Sequence, residues 1–185
     1  KYGIPQGWRE SPIGDLARIV GGGTPDREQK AYWRDGTVPW VTPTDLTAQA
    51  RKYITDSAEK ITEQGYRNSS ARLHPPGTVI CSARGTIGTV AIAGVPLSSN
   101  QSCENLLPRA GVDSEFLYYL LDWARPILAR LGCGTTFQSV TRDDIAALHV
   151  STPIDRNEQA AIARILDAAD TAIDRTRAAL SSAER

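Results

Sequence analysis

Apolar residues follow two different rhythms along this 185-residue chain. As far as residue 153 they form short β-prone runs, at 17–20, 38–41, 78–82, 89–92 and 101–107, each bounded by Gly, Pro, Asn or Asp, which predicts strands separated by turns. Three stretches switch to a helical period. Residues 61–69 read as a short helix, and 114–131 as a longer one with Phe116, Leu117, Leu120, Leu121, Ile127 and Leu128 on a broad face. The third covers 141–148, where Thr141 is placed to cap and Asp143 and Asp144 suit the first turn. Pro126 is expected to bend or break the long helix, because its ring removes one backbone donor. Strands and helices do not alternate as βαβ units, so the expected fold is α+β: a mixed, strand-rich domain followed by a long C-terminal helix.

The second rhythm begins after Pro153. All fifteen glycines and all eleven prolines precede Ile154, so nothing beyond it interrupts a helix. Ile162, Leu166, Ala169, Ile173, Thr176 and Leu180 succeed one another in steps of four and three, placing one narrow apolar seam along a rod. That spacing asks for a partner helix and predicts a coiled coil; the alternative is a helix laid flat on its own domain. Asp155 and Asn157 offer cap oxygens, and Glu158 sits where the helix dipole favours negative charge. About 30 residues at 1.5 Å each give a rod on the order of 45 Å. The expected division is 1–153 and 154–185. Residues 181–185 contain no Gly or Pro stop, so the helix is expected to continue in a longer parent chain.

Composition narrows the function classes. With 41% hydrophobic and 23% charged residues the chain is globular, of a size for one domain and an appendage. No apolar run approaches the ~20 residues that cross a bilayer. Residues 1–8 lack the features of a secretory signal, so a cytoplasmic location is expected, and the absence of Met suggests that residue 1 is not the translational start. Cys81, Cys103 and Cys133 form no C-x-x-C pair and read as structural thiols of a reducing compartment. His74 and His149 have no Cys or His at zinc spacing, and His149 beside Val150 reads as a strand residue. Zero net charge argues against a nucleic-acid partner, since phosphate neutralisation dominates such affinity. Residues 66–112 soften the objection, with Arg67, Arg72, Arg84 and Arg109 against Glu104 alone.

Catalytic signatures fail on chemistry. Gly21-Gly22-Gly23 is followed by Thr24-Pro25-Asp26-Arg27, not by the Gly-Lys-Ser/Thr that a phosphate loop requires, and reads as a turn joining two strands. Asp26 with Glu28 and Lys30 superficially matches a nuclease, yet one residue between the carboxylates would make successive side chains diverge. His74-Pro75-Pro76-Gly77 lacks the amide or carboxylate and the stacking aromatic that hold a flipped adenine. Cys133 with either His has no local motif to unite them.

Short segments in a fixed order carry a resemblance. Gly7-Trp8, Pro12-Ile13-Gly14-Asp15-Leu16, Gly22-Gly23-Thr24-Pro25, Tyr32-Trp33, Val38-Pro39-Trp40-Val41-Thr42-Pro43, Asp45-Leu46, Ile61-Thr62, Pro76-Gly77-Thr78-Val79, Ser82-Ala83-Arg84-Gly85-Thr86-Ile87-Gly88, Asn100-Gln101, Gly134-Thr135-Thr136 and Glu158-Gln159 cover nearly the whole chain. Together they resemble half of a specificity subunit of type I restriction-modification systems. The resemblance implies a target recognition domain, a reader of one half of a bipartite double-stranded DNA target, followed by a conserved-region helix. Complete members carry two such units, whose helices pack antiparallel as a ruler between half-sites. It also implies a non-catalytic chain that directs adenine methyltransferase subunits and a restriction/translocase subunit. S-adenosylmethionine, ATP and magnesium would belong to those partners, with no cofactor in this chain. A second recognition unit, in tandem or as a homodimer, is the remaining partner.

Base reading calls for Arg against guanine, Asn or Gln against adenine, and Thr against the thymine methyl. Arg84 and Thr86 lead the candidates, followed by Arg51, Lys52 and Tyr53, then Thr135, Thr136 and Gln138, with Gln101 and Arg142 last. Each has a plainer reading: Arg84 to Thr86 as a structural turn, Arg51-Lys52 as a solvated hairpin tip, Gln101 as a partner for buried backbone. Trp8, Trp33, Trp40 and Trp123 read as core or interface anchors and not as stacking platforms. The competing function is a protein-protein assembly module with a coiled-coil helix and no DNA readout.

Overall fold

The structure is a computed structural model and describes residues 3–49, 51–132 and 138–183. Strand β1 (Trp8–Pro12) leads into a single helical turn, α1 (Ile13–Leu16), and strand β2 (Ala17–Gly21). A 3-10 turn at Lys30–Tyr32 precedes β3 (Val38–Val41), α2 (Pro43–Ala48), β4 (Tyr53–Ile54), β5 (Lys60–Ile61) and α3 (Glu63–Arg67). Then follow β6 (Val79–Ser82), β7 (Val90–Ala93), β8 (Ser98–Ser99), β9 (Cys103–Pro108), α4 (Ser114–Leu131), α5 (Arg142–Ala147), β10 (His149–Pro153) and α6 (Arg156–Ala183). The fold is mixed and strand-rich, with the long helix at its end, as the sequence leads one to expect.

The centre is a five-stranded sheet in the order β2-β9-β6-β7-β4, antiparallel except where β4 lies parallel to β7. Every residue of β6 and β7 is buried, so these runs read as continuously apolar because both faces are covered. The alternation along a strand separates two cores. Val79, Cys81, Val90 and Ile92 face Leu117, Leu121 and Leu128 of α4. Ile80, Ala91 and Ala93 face Val41, Leu46, Ile54 and Leu97. Burial pushes the Cys81 thiol up to about 12, the behaviour of an inert packing group. A three-stranded ribbon, β5-β3-β8, carries the Trp40 core, and β1 pairs with β10 apart from both.

Two local expectations are corrected. Helix α4 runs unbroken through Pro126, which is exposed, as is Asp122, whose carbonyl loses its donor and faces water. The run Gly21-Gly22-Gly23 is no turn: it continues in extended form, with Gly22 N–H donating to Cys103 O and Gly23 N–H to Ser99 O, both at 2.9 Å. A Cβ on Gly22 would lie 1.9 Å from Asn100 O, so close backbone approach and not chain reversal requires glycine there.

Helix α6 starts as its sequence specifies, with Asp155 Oδ1 accepting from Asn157 N–H at 2.9 Å. At 28 residues it is about 42 Å long. Buried Gln159 fixes its root, accepting from Asp113 N–H and donating to Pro153 O, both at 2.9 Å, while Ala163 packs against the body. From Thr171 to Ser182 every residue is exposed, so the second half projects away.

Candidate nucleic-acid interface

The tip of the β6–β7 hairpin presents Arg84, Gly85 and Thr86 to solvent. Its shape comes from Ser82, whose hydroxyl donates to Thr86 O and accepts from Thr89 N–H at 3.0 Å, and from Gly85 and Gly88 at φ +74° and +80°. The tip is further held by a backbone bridge from Arg84 to Ser139 and by Val140 N–H donating to Ala83 O at 3.0 Å. Exposed Gln138 is the residue before that bridge.

Arg84 and Gly85 form one wall of a groove of about 580 Å³ whose other walls include Thr24, Thr42, Thr44, Asn100 and Gln101. Asn100 shapes its own turn by accepting from Ser102 N–H at 3.0 Å, and the Thr24 hydroxyl donates to Gln101 Oε1. Thr42 caps α2 reciprocally with Asp45, 2.8 Å separating Thr42 N from Asp45 Oδ2. Arg27 also lines the groove, but its guanidinium lies 3.8 Å over the Trp33 ring and donates to both oxygens of Glu59. That hydrogen bond holds Glu59 below the usual carboxylate range. Arg84 has no ion pair among the described residues, so the groove combines an unpaired guanidinium with amides and hydroxyls.

Of the residues singled out in the sequence, the fold brings together Arg84 and Gln101 in the groove; Thr86 follows on the same tip, 3.0 Å from Thr47 Oγ1, and Gln138 precedes the residue bridged to Arg84. Lys52 and Tyr53 lie elsewhere. The Lys52 ammonium is 2.6 Å from Asp167 and 3.3 Å from Glu115, and Tyr53 donates to Glu115, so both are engaged between α4 and α6. Arg51 lies beside them and lines two other hollows. Arg142 donates to Glu104 at 3.1 Å, next to Gly21. Thr135, Thr136 and Cys133 lie outside the described residues. Arg27, Thr24, Thr42, Thr44 and Asn100 received no site role from the sequence, although Thr24, Thr42 and Asn100 belong to its recurring segments.

The tryptophans act as anchors where they are buried. Trp40 is 3% exposed, donates to Gly23 O at 2.9 Å and meets Trp33 edge to face at 5.0 Å. Trp123 is 64% exposed and, with Trp8, lines an apolar hollow of about 480 Å³ that Ile162 and Leu166 complete. Ala169, Ile173, Thr176 and Leu180 continue that line along the projecting half, Ile173 48% and Leu180 60% exposed. At 3.6 residues per turn this seam lies roughly 90° around the helix from the row that touches the body, Gln159, Ala163, Asp167 and Asp170.

A family model described as the type I restriction modification DNA specificity domain matches residues 5–185. The chain belongs to that family. Among specificity-domain relatives, the type I restriction enzyme MjaIX specificity subunit of Methanocaldococcus jannaschii is 36% identical over 173 residues, which is 92% of this chain and 40% of that subunit. The HsdS subunit from Thermoanaerobacter tengcongensis aligns with a TM-score of 0.71 and 22% identity over 100% of this chain and 41% of its own. A chain from a structure addressing complex assembly and conformational transition of the type I R-M system gives 0.79 at 22% identity, over 99% of this specificity domain and 43% of that chain. At that identity the structural likeness speaks for the fold. This specificity domain thus spans less than half the length of the relatives it matches. Among its described residues no helix is long and apolar enough to cross a membrane.

Proposed function

We propose that the chain is a DNA-reading unit of a type I restriction-modification specificity subunit, recognising one half of a bipartite duplex target and catalysing nothing itself. The observation that carries this is the groove at the β6–β7 tip, where the unpaired Arg84 guanidinium stands beside Gln101, Asn100 and three threonines. Those are the side chains that match donor and acceptor patterns of base edges. The family membership supplies the class of target. Thr86, on the same tip as Arg84, and Gln138, next to the residue bridged to Arg84, join the reading set; Thr135 and Thr136 remain candidates by sequence alone.

The free seam of α6 supports pairing with the helix of a second recognition unit, in tandem or in a homodimer. Adenine methyltransferase and restriction/translocase subunits are the further partners, holding S-adenosylmethionine, ATP and magnesium, and the setting is the cytoplasm.

The test is binding of Arg84→Ala to duplex selected from a random pool by the unsubstituted chain. A bidentate base contact is worth ~1–3 kcal/mol, so affinity for selected duplex falls by that amount while affinity for unselected duplex changes little. Equal losses on both assign Arg84 to phosphate. Failure to enrich any sequence, with the chain instead associating only with protein, favours the assembly-module reading that zero net charge allows.

A further inference from the structure

Beside the groove lies a second hollow, of about 230 Å³, between the C-terminal end of α2, the start of β7 and the middle of α4. Thr47, Gln49, Arg51, Thr89 and Arg125 line it, with a single carboxylate, Asp122. We infer that this hollow is a phosphate site, gripping the backbone of the strand whose bases the groove reads; the inference rests on the half-site reading above.

Three observations converge. The lining offers donors: two guanidiniums, the Tyr118 hydroxyl and the Gln49 amide, whose Nε2 is buried with no hydrogen-bond partner among the described residues, while the Thr47 and Thr89 hydroxyls donate to Pro43 O and Thr86 O. A buried, unpaired donor destabilises the free protein and is relieved by an incoming acceptor. Guanidiniums fork onto phosphate oxygens, which a carboxylate-rich or apolar pocket would not accept.

The hollow is also wired to the reading tip. Arg125 Nη2 donates to Thr89 Oγ1 at 3.0 Å, Thr89 Oγ1 donates to Thr86 O at 3.0 Å, and Thr86 Oγ1 lies 3.0 Å from Thr47 Oγ1. An oxyanion seated between Arg125 and Arg51 therefore bears on the turn that carries Arg84.

The separation suits one strand as well. Helix α2 borders the groove with Pro43 and Thr44 and the hollow with Leu46 and Thr47. Its six residues span about 9 Å, on the order of two to three nucleotide steps at ~3.4 Å of rise each. Asp122 opposes an anion and so supplies a substitution of opposite sign.

The experiment measures anisotropy of a labelled random-sequence duplex against the full chain from ~50 to ~200 mM salt, where each phosphate contact contributes about 0.9 to the slope of log affinity on log salt. Arg125→Gln and Arg51→Gln each flatten the slope by about that amount, Arg125→Lys retains it, and Asp122→Asn strengthens binding several-fold. Thermal melts monitor folding; should Arg125→Gln unfold, the exposed Arg51 and Asp122 carry the test. Slopes unchanged in Arg51→Gln, with no gain in Asp122→Asn, overturn the phosphate site. If selection still enriches a sequence in that case, the groove reading stands without it. If the chain neither binds random duplex at low salt nor enriches a sequence, both fall.

Discussion

Lys52 ties the globular body to α6, and the strength of that tie follows from its surroundings. Its side chain is 12% exposed, against 30% for Glu115 and 49% for Asp167, with Nζ 2.6 Å from Asp167 Oδ1. The Tyr119 hydroxyl donates to Asp167 and Asp170, each at 3.0 Å, which completes a polar clasp between α4 and α6. A fully exposed pair is worth about 0.2–1 kcal/mol, whereas breaking a buried one costs about 3–5. With one partner half in water, Lys52→Met should cost about 1–2 kcal/mol, or roughly 2–8 °C in Tm for a chain of this size. Urea denaturation of Lys52→Met, Asp167→Asn and the double variant isolates the pair, with an expected coupling of about 1 kcal/mol at pH 7. The hydrogen bond from Lys52 holds Asp167 below its ordinary 3.8, so this stability is present above that pH and disappears as pH falls through the lower folded value. Additive single effects at pH 7, or a coupling that persists after Asp167 is protonated, would refute the clasp.

Further outcomes follow from other contacts. Leu166→Asp with Ile173→Asp should abolish association through α6, read by sedimentation at high concentration; an unchanged profile counts against the seam. Gln159→Ala leaves Asp113 N–H and Pro153 O without their partner and should cost about 1–3 kcal/mol in urea unfolding, with loss concentrated at the α6 root in hydrogen exchange. Buried His74 is lowered to about 4 by desolvation, with Arg18 and Arg72 adding to the effect. Its folded value lies below the unfolded 6.5, so it contributes stability that is full above pH 6.5 and lost as pH falls toward 4. His74→Gln should flatten the urea midpoint across that window, and an identical slope in both proteins would remove His74 as the source. Gly22→Ala forces a Cβ onto the Asn100 backbone, so unaltered Tm would contradict the close packing of that segment.

What could be read in advance divides by the range of the forces involved. Helix α4, strand β3 and the cap of α5 by Thr141 and Asp144 were legible because periodicity and capping act within a few residues. The two-residue strands β4, β5 and β8 were not, since each exists only through pairing with a distant strand. The site divides likewise. Arg84 stood out as a cation on a glycine turn, but the groove joins it to Thr24 and Thr42, which only the sheet brings near. Lys52, a second-rank candidate by sequence, is held by Asp167, 115 positions away, a contact that no local pattern signals.

The pairing of β1 with β10 places Arg9 opposite Thr152, and Ile154 N–H donates to Gly7 O at 2.9 Å. The polypeptide therefore comes into the globular part and departs from it through one doorway, locked by the Trp8 indole on Glu158 at 2.9 Å. A cut across Gly7 and Ile154 divides the backbone only at this neck and leaves head and rod joined by side chains alone, so any head exchanged there must bring its own counterparts of Asp113, Lys52 and Tyr119 to hold Gln159, Asp167 and Asp170.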